Sequence, residues 1–213
     1  MVVTIAVVYI FANAQASRYE PMARRFSQTY CENPPGETDH ELYVVVNGGG
    51  KITERQERLF DPLVPKFLHH DNSAKDLGAY RMFARTMPCD LMVCIGGPLR
   101  MRAAGWLDVI CRAYEDNGPG LYGNWCFHSP AIHVRTTFFW LPPALLNAYP
   151  HPVHDGTRYE FEHGVNSITR WCFQKGFPVL QVTLTGVYSV EKWHHVEPKN
   201  CLALDQHFEG IGI

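Results

Sequence analysis

The sequence predicts an α/β domain built from parallel β-α-β units. Strand-like and helix-like segments alternate through the first half of the chain, which is the pattern of such units. The first segment, VVTIAVVYIF, has almost no polar residue, as expected of a strand that is covered on both faces. Of the 213 residues, 46% are hydrophobic and 19% are charged, so the chain can bury a sizeable core and does not have the composition of a disordered protein.

The first element is a strand over residues 2–11, followed by a short loop. A helix is expected over residues 17–30, with Ser17 as its N-cap because Glu20 follows three residues later, as in a capping box. After a turn-forming stretch, ELYVVVN at residues 41–47 predicts a second strand, which ends at three glycines.

The remaining elements of the first half continue this alternation. We expect a helical or irregular stretch at residues 52–60, a short strand at 64–70 and a helix at 76–87. A buried strand at 90–95 and an amphipathic helix at 105–117 follow. The second half is more mixed. Strand-like segments at residues 120–127 and 133–141 precede a short helix at 142–150 that begins with prolines. Another helix is expected at 164–176 and a strand at 177–184. The tail from Ser189 need not be regular. Because no linker or repeat divides the chain, we predict one domain over residues 1–213.

Charge and cysteine content exclude several classes of protein. The 19 Lys and Arg residues oppose 21 Asp and Glu residues, so the chain lacks the basic excess of a protein that coats nucleic acid. The seven cysteines include no Cys-x-x-Cys pair, which excludes zinc-ribbon and thioredoxin motifs and favours buried thiols in a reducing compartment. There is no run of 18 apolar residues, so we expect no transmembrane segment and a cytoplasmic location.

Ligands of open α/β sheets bind past the carboxyl ends of the strands. Four predicted loops lie there, at residues 11–17, 47–51, 71–76 and 96–102.

The segment DNSAKDLGAY at residues 71–80 has the features of a phosphate site. The N-terminus of its helix would present free N–H groups, and Gly78 and Ala79 leave room for a ligand beside the backbone. Asp71 and Asp76 add carboxylates. A structural explanation is equally open, in which a loop side chain caps the helix and the Gly-Ala pair packs against the sheet.

A second segment joins a buried strand to glycines and arginines. DLMVCI stops at Gly96 and Gly97, which suits close contact between backbone and ligand, and Arg100 and Arg102 follow, which suit a phosphate. An ordinary tight turn with solvated arginines is the alternative. The segment is neither a Walker loop nor a G-x-G-x-x-G fingerprint.

The third segment, RYEFEHG, contains Glu160 and Glu162 next to a histidine. On extended chain, carboxylates two residues apart point the same way, so one of them could enter a cleft as a general base. A solvated loop is the alternative. The candidate metal ligands have no diagnostic spacing; they are Asp76, His194, His195 and His207.

Taken in order, these segments resemble the GT-A class of nucleotide-sugar glycosyltransferases. The resemblance covers about residues 3–185 and rests on the apolar first strand, VVVNGGG, KDLGAY, DLMVCIGG, GWLDVICRAYEDNGPGLYG, HVRTTFFWLPPALL and EFEHG. The opening VYIFANAQASRYEPMARRF and the domain length are in particular similar to the N-terminal glycosyltransferase domains that chloroviruses encode for the glycan of their major capsid protein.

This resemblance implies a GT-A-like fold, with a central mixed, mostly parallel sheet flanked by helices. It implies transfer of a hexosyl group from a UDP-sugar to a glycan hydroxyl, with a divalent cation, Mn²⁺ or else Mg²⁺, on the diphosphate. Residues 1–105 would bind the nucleotide-sugar, and residues 106–213 would form the acceptor side.

The resemblance also assigns roles to individual residues. The base and ribose would lie against Phe11, Ala12, Asn13, Asn47, Gly48 and Gly49. The remainder of the donor would follow Asp76, Gly78, Ala79, Gly96 and Gly97. The acceptor side would include Arg135, Thr136 and Trp140. Glu160 or Glu162 falls where inverting members place their general base.

One departure from the family pattern concerns the metal. Most GT-A enzymes have an Asp-x-Asp motif at the end of the strand that here continues into Gly96, Gly97 and Pro98. A cation would therefore use Asp76 or a tail histidine such as His207, or arginines would neutralise the diphosphate instead; those arginines are Arg100, Arg102 and Arg135. The missing motif also keeps two other functions open, a non-catalytic nucleotide- or carbohydrate-binding domain and an unrelated nucleotidyltransferase.

Overall fold

A computed structural model of the protein describes residues 3–193 and 197–205. Within these residues the strands, in chain order, are β1 (Ile5–Phe11), β2 (Glu41–Asn47), β3 (Lys66–His70), β4 (Leu91–Ile95), β5 (Arg100–Met101), β6 (Leu121–Gly123), β7 (Cys126–Phe127), β8 (His133–Val134), β9 (Phe138–Leu141), β10 (Val179–Thr183), β11 (Gly186–Tyr188) and β12 (Ala203–Leu204). The α-helices are α1 (Ala16–Glu32), α2 (Glu54–Glu57), α3 (Lys75–Thr86), α4 (Trp106–Asn117), α5 (Pro143–Ala148), α6 (Arg158–His163) and α7 (Ile168–Gln174).

Eight strands form one sheet in the order β11-β10-β6-β9-β4-β1-β2-β3. Strand β1 pairs in parallel with β2 and β4, and the pairs β2–β3 and β6–β10 are parallel as well. Strand β9 is antiparallel to both of its neighbours, and β11 is antiparallel to β10. The α/β class with a mixed, mostly parallel sheet is therefore confirmed.

The sheet has a hydrophobic layer on each face because alternate residues of its strands point to opposite sides. On β1, Val7 and Tyr9 pack with α1 and α4, whereas Val8 and Ile10 pack with α3, α5 and α7. All seven residues of β1 are buried, as the apolar sequence of this strand predicts.

Several elements differ from their prediction in ways that affect the site. Helix α1 begins at Ala16, and Ser17 lies inside it without acting as the N-cap. Glu20 accepts hydrogen bonds from Arg55 and Gln56 instead, at 2.7 and 3.1 Å. The tail from Ser189, which was not expected to be regular, contains the short strand β12. Strand β12 pairs with β5, and this brings the tail back to the carboxyl-terminal edge of the sheet.

The segment with the two glutamates differs most. Residues 158–163 form α6, where extended chain was expected, and the helix predicted from residue 164 begins at Ile168 after the capping side chain of Ser167. Buried cysteines are confirmed at five positions, whereas Cys31 is exposed and Cys89 is half-buried. None of the described helices has both the length and the apolar character needed to cross a membrane.

Candidate functional site

A cleft of about 740 Å³ opens at the carboxyl ends of β1, β2 and β4. This is where an open α/β sheet binds its ligand, and the volume is within the range of small-molecule sites. The residues of the sequence-based prediction that line this cleft are Ala12, Asn47, Asp76, Gly96, Gly97, Arg135 and Glu162. The fold thus brings together residues from six separate segments of the chain.

Other predicted residues lie beneath or beside the cleft. Phe11 is fully buried, because its position on β1 directs it into the core under α1. The Asn13 side chain is also buried and accepts a hydrogen bond from Gln56 at 2.9 Å, so it braces the loop after β1. Gly48 and Gly49 belong to a smaller adjoining pocket with Lys51.

Gly78 and Ala79 follow the structural alternative that the sequence left open. Ala79 is fully buried against the sheet. A Cβ atom on Gly78 would lie 1.8 Å from the backbone oxygen of Ser73, so the glycine permits close packing of α3 on the preceding turn. Neither residue lines the cleft.

Trp140 and the arginines near β5 also differ from their expected positions. Trp140 has no exposed surface and stacks on Tyr122 inside the core, so the prediction that it faces an acceptor does not agree with its position. Arg100 lies on β5, opposite Leu204 of β12, and neither it nor Arg102 lines the cleft. The cleft cations come from other places in the chain; they are Arg18, Lys75, Arg135 and Arg158.

Asp76 stands at the start of α3 and forms an ion pair with Arg158 of α6 at 3.0 Å. Its side chain is 18% exposed, and this burial raises the pKa of the carboxyl group, while the positive charge of Arg158 opposes the rise. Sequence reasoning missed Arg158 because 82 residues separate the two partners.

The backbone before Asp76 adopts an unusual conformation. Asn72, Ala74 and Lys75 have φ values of +73°, +55° and +55°, in the left-handed region that residues with a side chain rarely occupy. This turn leaves Lys75 at the cleft, 3.4 Å from Asp155. Such strained backbone is common where a site requires a particular geometry.

The two glutamates of α6 have different environments. Residues two apart on a helix point about 200° away from each other, so they cannot both enter the cleft. Glu160 turns away and accepts a hydrogen bond from the backbone N–H of Asn166 at 2.9 Å. Glu162 lines the cleft with 18% of its side chain exposed, and its Oε2 accepts hydrogen bonds from the backbone N–H (3.0 Å) and the hydroxyl group of Thr136.

Arg135 is fixed in the cleft wall by a buried partner. Its guanidinium lies 2.8 Å from Asp205, whose side chain is fully buried, and its Nε donates to Thr137 at 3.1 Å. Because Asp205 follows β12, this ion pair attaches the end of the described chain to the cleft. Tyr159 of α6, with 65% of its surface exposed, forms part of the rim.

The described residues contain one group of three side chains that could share a metal ion, namely His133, Glu162 and His163. Asp76 is not part of that group. A cation bound by Asp76 would need most of its ligands from phosphate oxygens and water, which is how Mg²⁺ is commonly held. The predicted ligand His207 and the candidates His194 and His195 lie outside the described residues.

Comparison with known proteins identifies the fold. No protein-family model and no curated protein sequence matches the chain. Mouse xyloside xylosyltransferase 1, in its apo form, matches with a TM-score of 0.52 and 10% sequence identity over 82% of this chain and 82% of that chain. A structure of S. aureus TarS 1-349 in complex with UDP-GlcNAc matches with a TM-score of 0.49 and 11% identity, covering 68% of this chain and 46% of that one.

The chain therefore spans less than half the length of this TarS structure. At such identities, the likeness concerns the fold. The match to the xylosyltransferase over most of both chains supports the GT-A-type architecture of a central sheet flanked by helices.

Proposed function

We propose that this protein is a glycosyltransferase that moves a sugar from a UDP-sugar donor to a hydroxyl group of a glycan acceptor. The observation that carries the proposal is that a single cleft at the strand ends combines several cations with a partly buried, oriented carboxylate, Glu162. Cations suit the diphosphate of the donor, and a carboxylate suits removal of the acceptor proton. The fold shared with a xylosyltransferase is consistent with this chemistry.

The donor would bind along the strand ends. Ala12, Gly96 and Gly97 line this edge of the cleft, and the nucleoside would lie against their backbone. The absent side chain of Gly97 also makes room for the ring of Tyr19, which would lie 2.7 Å from an added Cβ. Lys75 and Arg158 stand at the N-terminus of α3, where their charges would stabilise the departing diphosphate.

The N-terminus of α3 could also hold a divalent cation, Mn²⁺ or Mg²⁺, although the protein offers only some of the ligands that such a cation needs. Asp76 lines the cleft and would supply one carboxylate oxygen, and the two phosphates of the donor would supply others. When bound, the cation neutralises charge on the leaving diphosphate. Because Asp76 already forms an ion pair with Arg158, its carboxylate would hold a cation in place of that guanidinium group.

Glu162 would act as the base of an inverting transfer. Its carboxylate takes the proton of the acceptor hydroxyl while the acceptor oxygen bonds to the anomeric carbon. The bond from that carbon to the phosphate oxygen breaks, and UDP leaves with the electron pair. The hydrogen bonds from Thr136 hold one oxygen of Glu162, which fixes the direction of the other.

The acceptor would enter over Arg135 and the exposed ring of Tyr159, because aromatic rings and polar groups together suit a sugar. The sequence resemblance to chlorovirus domains favours a glycan of a viral capsid protein as the acceptor.

The proposal is tested first by binding and then by turnover. The thermal midpoint is measured with UDP, GDP and CMP, each with and without Mn²⁺, and we expect preferential, manganese-dependent stabilisation by UDP. A panel of UDP-sugars is then assayed for release of UDP. Absence of any shift with all three nucleotides contradicts the proposal. Binding without turnover would indicate a nucleotide-binding domain, and release of pyrophosphate from a nucleoside triphosphate would indicate a nucleotidyltransferase.

A further inference from the structure

Two histidines and a glutamate converge at the side of the cleft formed by β8 and the end of α6. The rings of His133 and His163 meet edge to face, with centroids 4.1 Å apart. Oε1 of Glu162 lies 3.1 Å from Nε2 of His163. One potential ligand atom from each of the three residues lies within 4.8 Å of the other two.

The hydrogen bonds around this cluster leave lone pairs available. Nδ1 of His133 is 2.8 Å from the carbonyl oxygen of Ala131. Because a carbonyl can only accept, Nδ1 donates, and Nε2 of His133 keeps its lone pair. Metal-binding histidines commonly use this arrangement, in which one ring nitrogen donates to a carbonyl while the other binds the ion.

The ring of His163 has an unsatisfied atom. Its Nδ1 is buried and has no hydrogen-bond partner among the described residues. Buried polar atoms without a partner are rare in folded proteins, and an unfilled metal or water site is one of the usual reasons. The described residues therefore leave this nitrogen available to an ion, while Nε2, across the ring, faces Oε1 of Glu162.

Two imidazoles and one carboxylate are typical of zinc. Mn²⁺ and Mg²⁺ prefer oxygen ligands, whereas imidazole suits Zn²⁺, which often binds three protein ligands and keeps a fourth position for water. Zinc–ligand bonds of about 2.0–2.1 Å place tetrahedral ligands about 3.3 Å apart, so the three side chains would close slightly on the ion.

We propose that His133, Glu162 and His163 form a zinc site at the wall of the cleft, separate from any cation at Asp76. The binding site itself does not depend on the glycosyltransferase proposal. Its consequence for turnover does rest on that proposal: zinc on the carboxylate of Glu162 would block it as a base and inhibit transfer.

The test is calorimetric titration of the metal-free protein with zinc chloride, without nucleotide, in the presence of excess Mg²⁺. We expect one zinc per chain, with affinity reduced by at least about tenfold in the His133→Gln and His163→Gln variants. His69→Gln is the matched control, because His69 is exposed on the edge strand β3 and its loss should leave the affinity unchanged.

His133 is buried, so the fold of each variant is checked by circular dichroism; His163, at the partly exposed end of α6, provides the second, independent variant. Zinc affinity that is unchanged in folded His163→Gln overturns the site, as does a loss of equal size in His69→Gln. Turnover is assayed separately on the zinc-free protein with Mn²⁺. If that protein releases no UDP from any UDP-sugar but still binds zinc, the proposed function is rejected and the zinc site stands.

Discussion

Oε2 of Glu162 accepts a hydrogen bond from the backbone N–H of Thr136 at 3.0 Å, and this contact ties α6 to the segment between β8 and β9. The neighbouring acid, Glu160, uses its carboxylate to hold the chain after α6. Two glutamates that are two residues apart on the same helix therefore have separate roles. Glu162 is a cleft carboxylate that Thr136 orients, and Glu160 stabilises the turn after α6.

The first prediction uses this pair. Glu162→Gln should lower UDP-sugar turnover about a hundredfold or more, because a carboxamide cannot accept the acceptor proton. Glu160→Gln is the matched control and should keep turnover within about threefold, because that side chain lies outside the cleft. Initial rates with a fixed donor and acceptor measure both variants. Equal rates for the two variants, with UDP binding intact, would contradict the role of Glu162 as the base.

The second prediction concerns metal dependence at Asp76. Asp76→Asn should remove the gain in UDP affinity that Mn²⁺ provides, a loss of about tenfold or about 1.4 kcal/mol, because the carboxylate ligand is gone. Without Mn²⁺ the same variant should bind UDP slightly better, since Arg158 is released from its ion pair.

Asp71→Asn is the control for this experiment. Asp71 lies in the loop that leads into α3, 78% of its side chain is exposed, and its carboxylate accepts a hydrogen bond from the hydroxyl group of Ser73. Titration calorimetry with UDP, with and without Mn²⁺, compares the variants. A full manganese effect in Asp76→Asn would show that the cation binds elsewhere.

The general form of the fold could be predicted because the apolar segments are unambiguous. A strand such as β1, with seven buried residues, can only lie in the centre of a sheet covered on both faces, and the loops that follow such strands mark the ligand edge. Ala12, Asn47, Gly96 and Gly97 were found in this way.

Other features depend on information that a single sequence does not contain. Helix α6 has six residues, which is too short for a period of 3.6 to be distinguished from one of 2, so the directions of its glutamates could not be read. The Asp76–Arg158 pair joins distant segments and leaves no local pattern. The family resemblance places Trp140 on the acceptor side. Its strand is central in the sheet, however, and burial of the large apolar ring in the core is more favourable than exposure in a cleft.

The third prediction concerns the turn before α3. Gly78→Ala should destabilise the protein by about 2 kcal/mol, although alanine is the better helix former, because the new methyl group would collide with the backbone of Ser73. That backbone belongs to the strained turn at residues 72–75 and has little freedom to move. Urea unfolding measures the change.

Gly50→Ala is the control for Gly78→Ala. Gly50 also has a positive φ, but nothing lies within 4 Å of an added Cβ, so only backbone strain of about 1 kcal/mol is expected. A gain in stability for Gly78→Ala would mean that the turn adjusts freely and that its conformation is not fixed by packing.

The last prediction concerns acid stability at Asp108, on the first turn of α4. Burial alone would raise the pKa of this carboxyl group, but hydrogen bonds from Thr38 and from the backbone N–H of Glu37 outweigh it, so the pKa is lowered. A lowered pKa in the folded state means that the carboxylate stabilises the protein above its unfolded pKa of about 3.9 and loses that contribution as the pH falls through the folded value.

Asp108→Asn should therefore be less stable than the wild type at pH 7 by about 1 kcal/mol, a value kept small because water reaches the group. The difference should shrink as the pH falls below about 3.9 and towards the lower folded-state pKa, because the wild-type carboxyl group becomes protonated there and then resembles the amide. Urea unfolding of both proteins at pH 7, 5 and 3 measures this, and a difference that stays constant with pH would mean that the charge of Asp108 does not hold the loop.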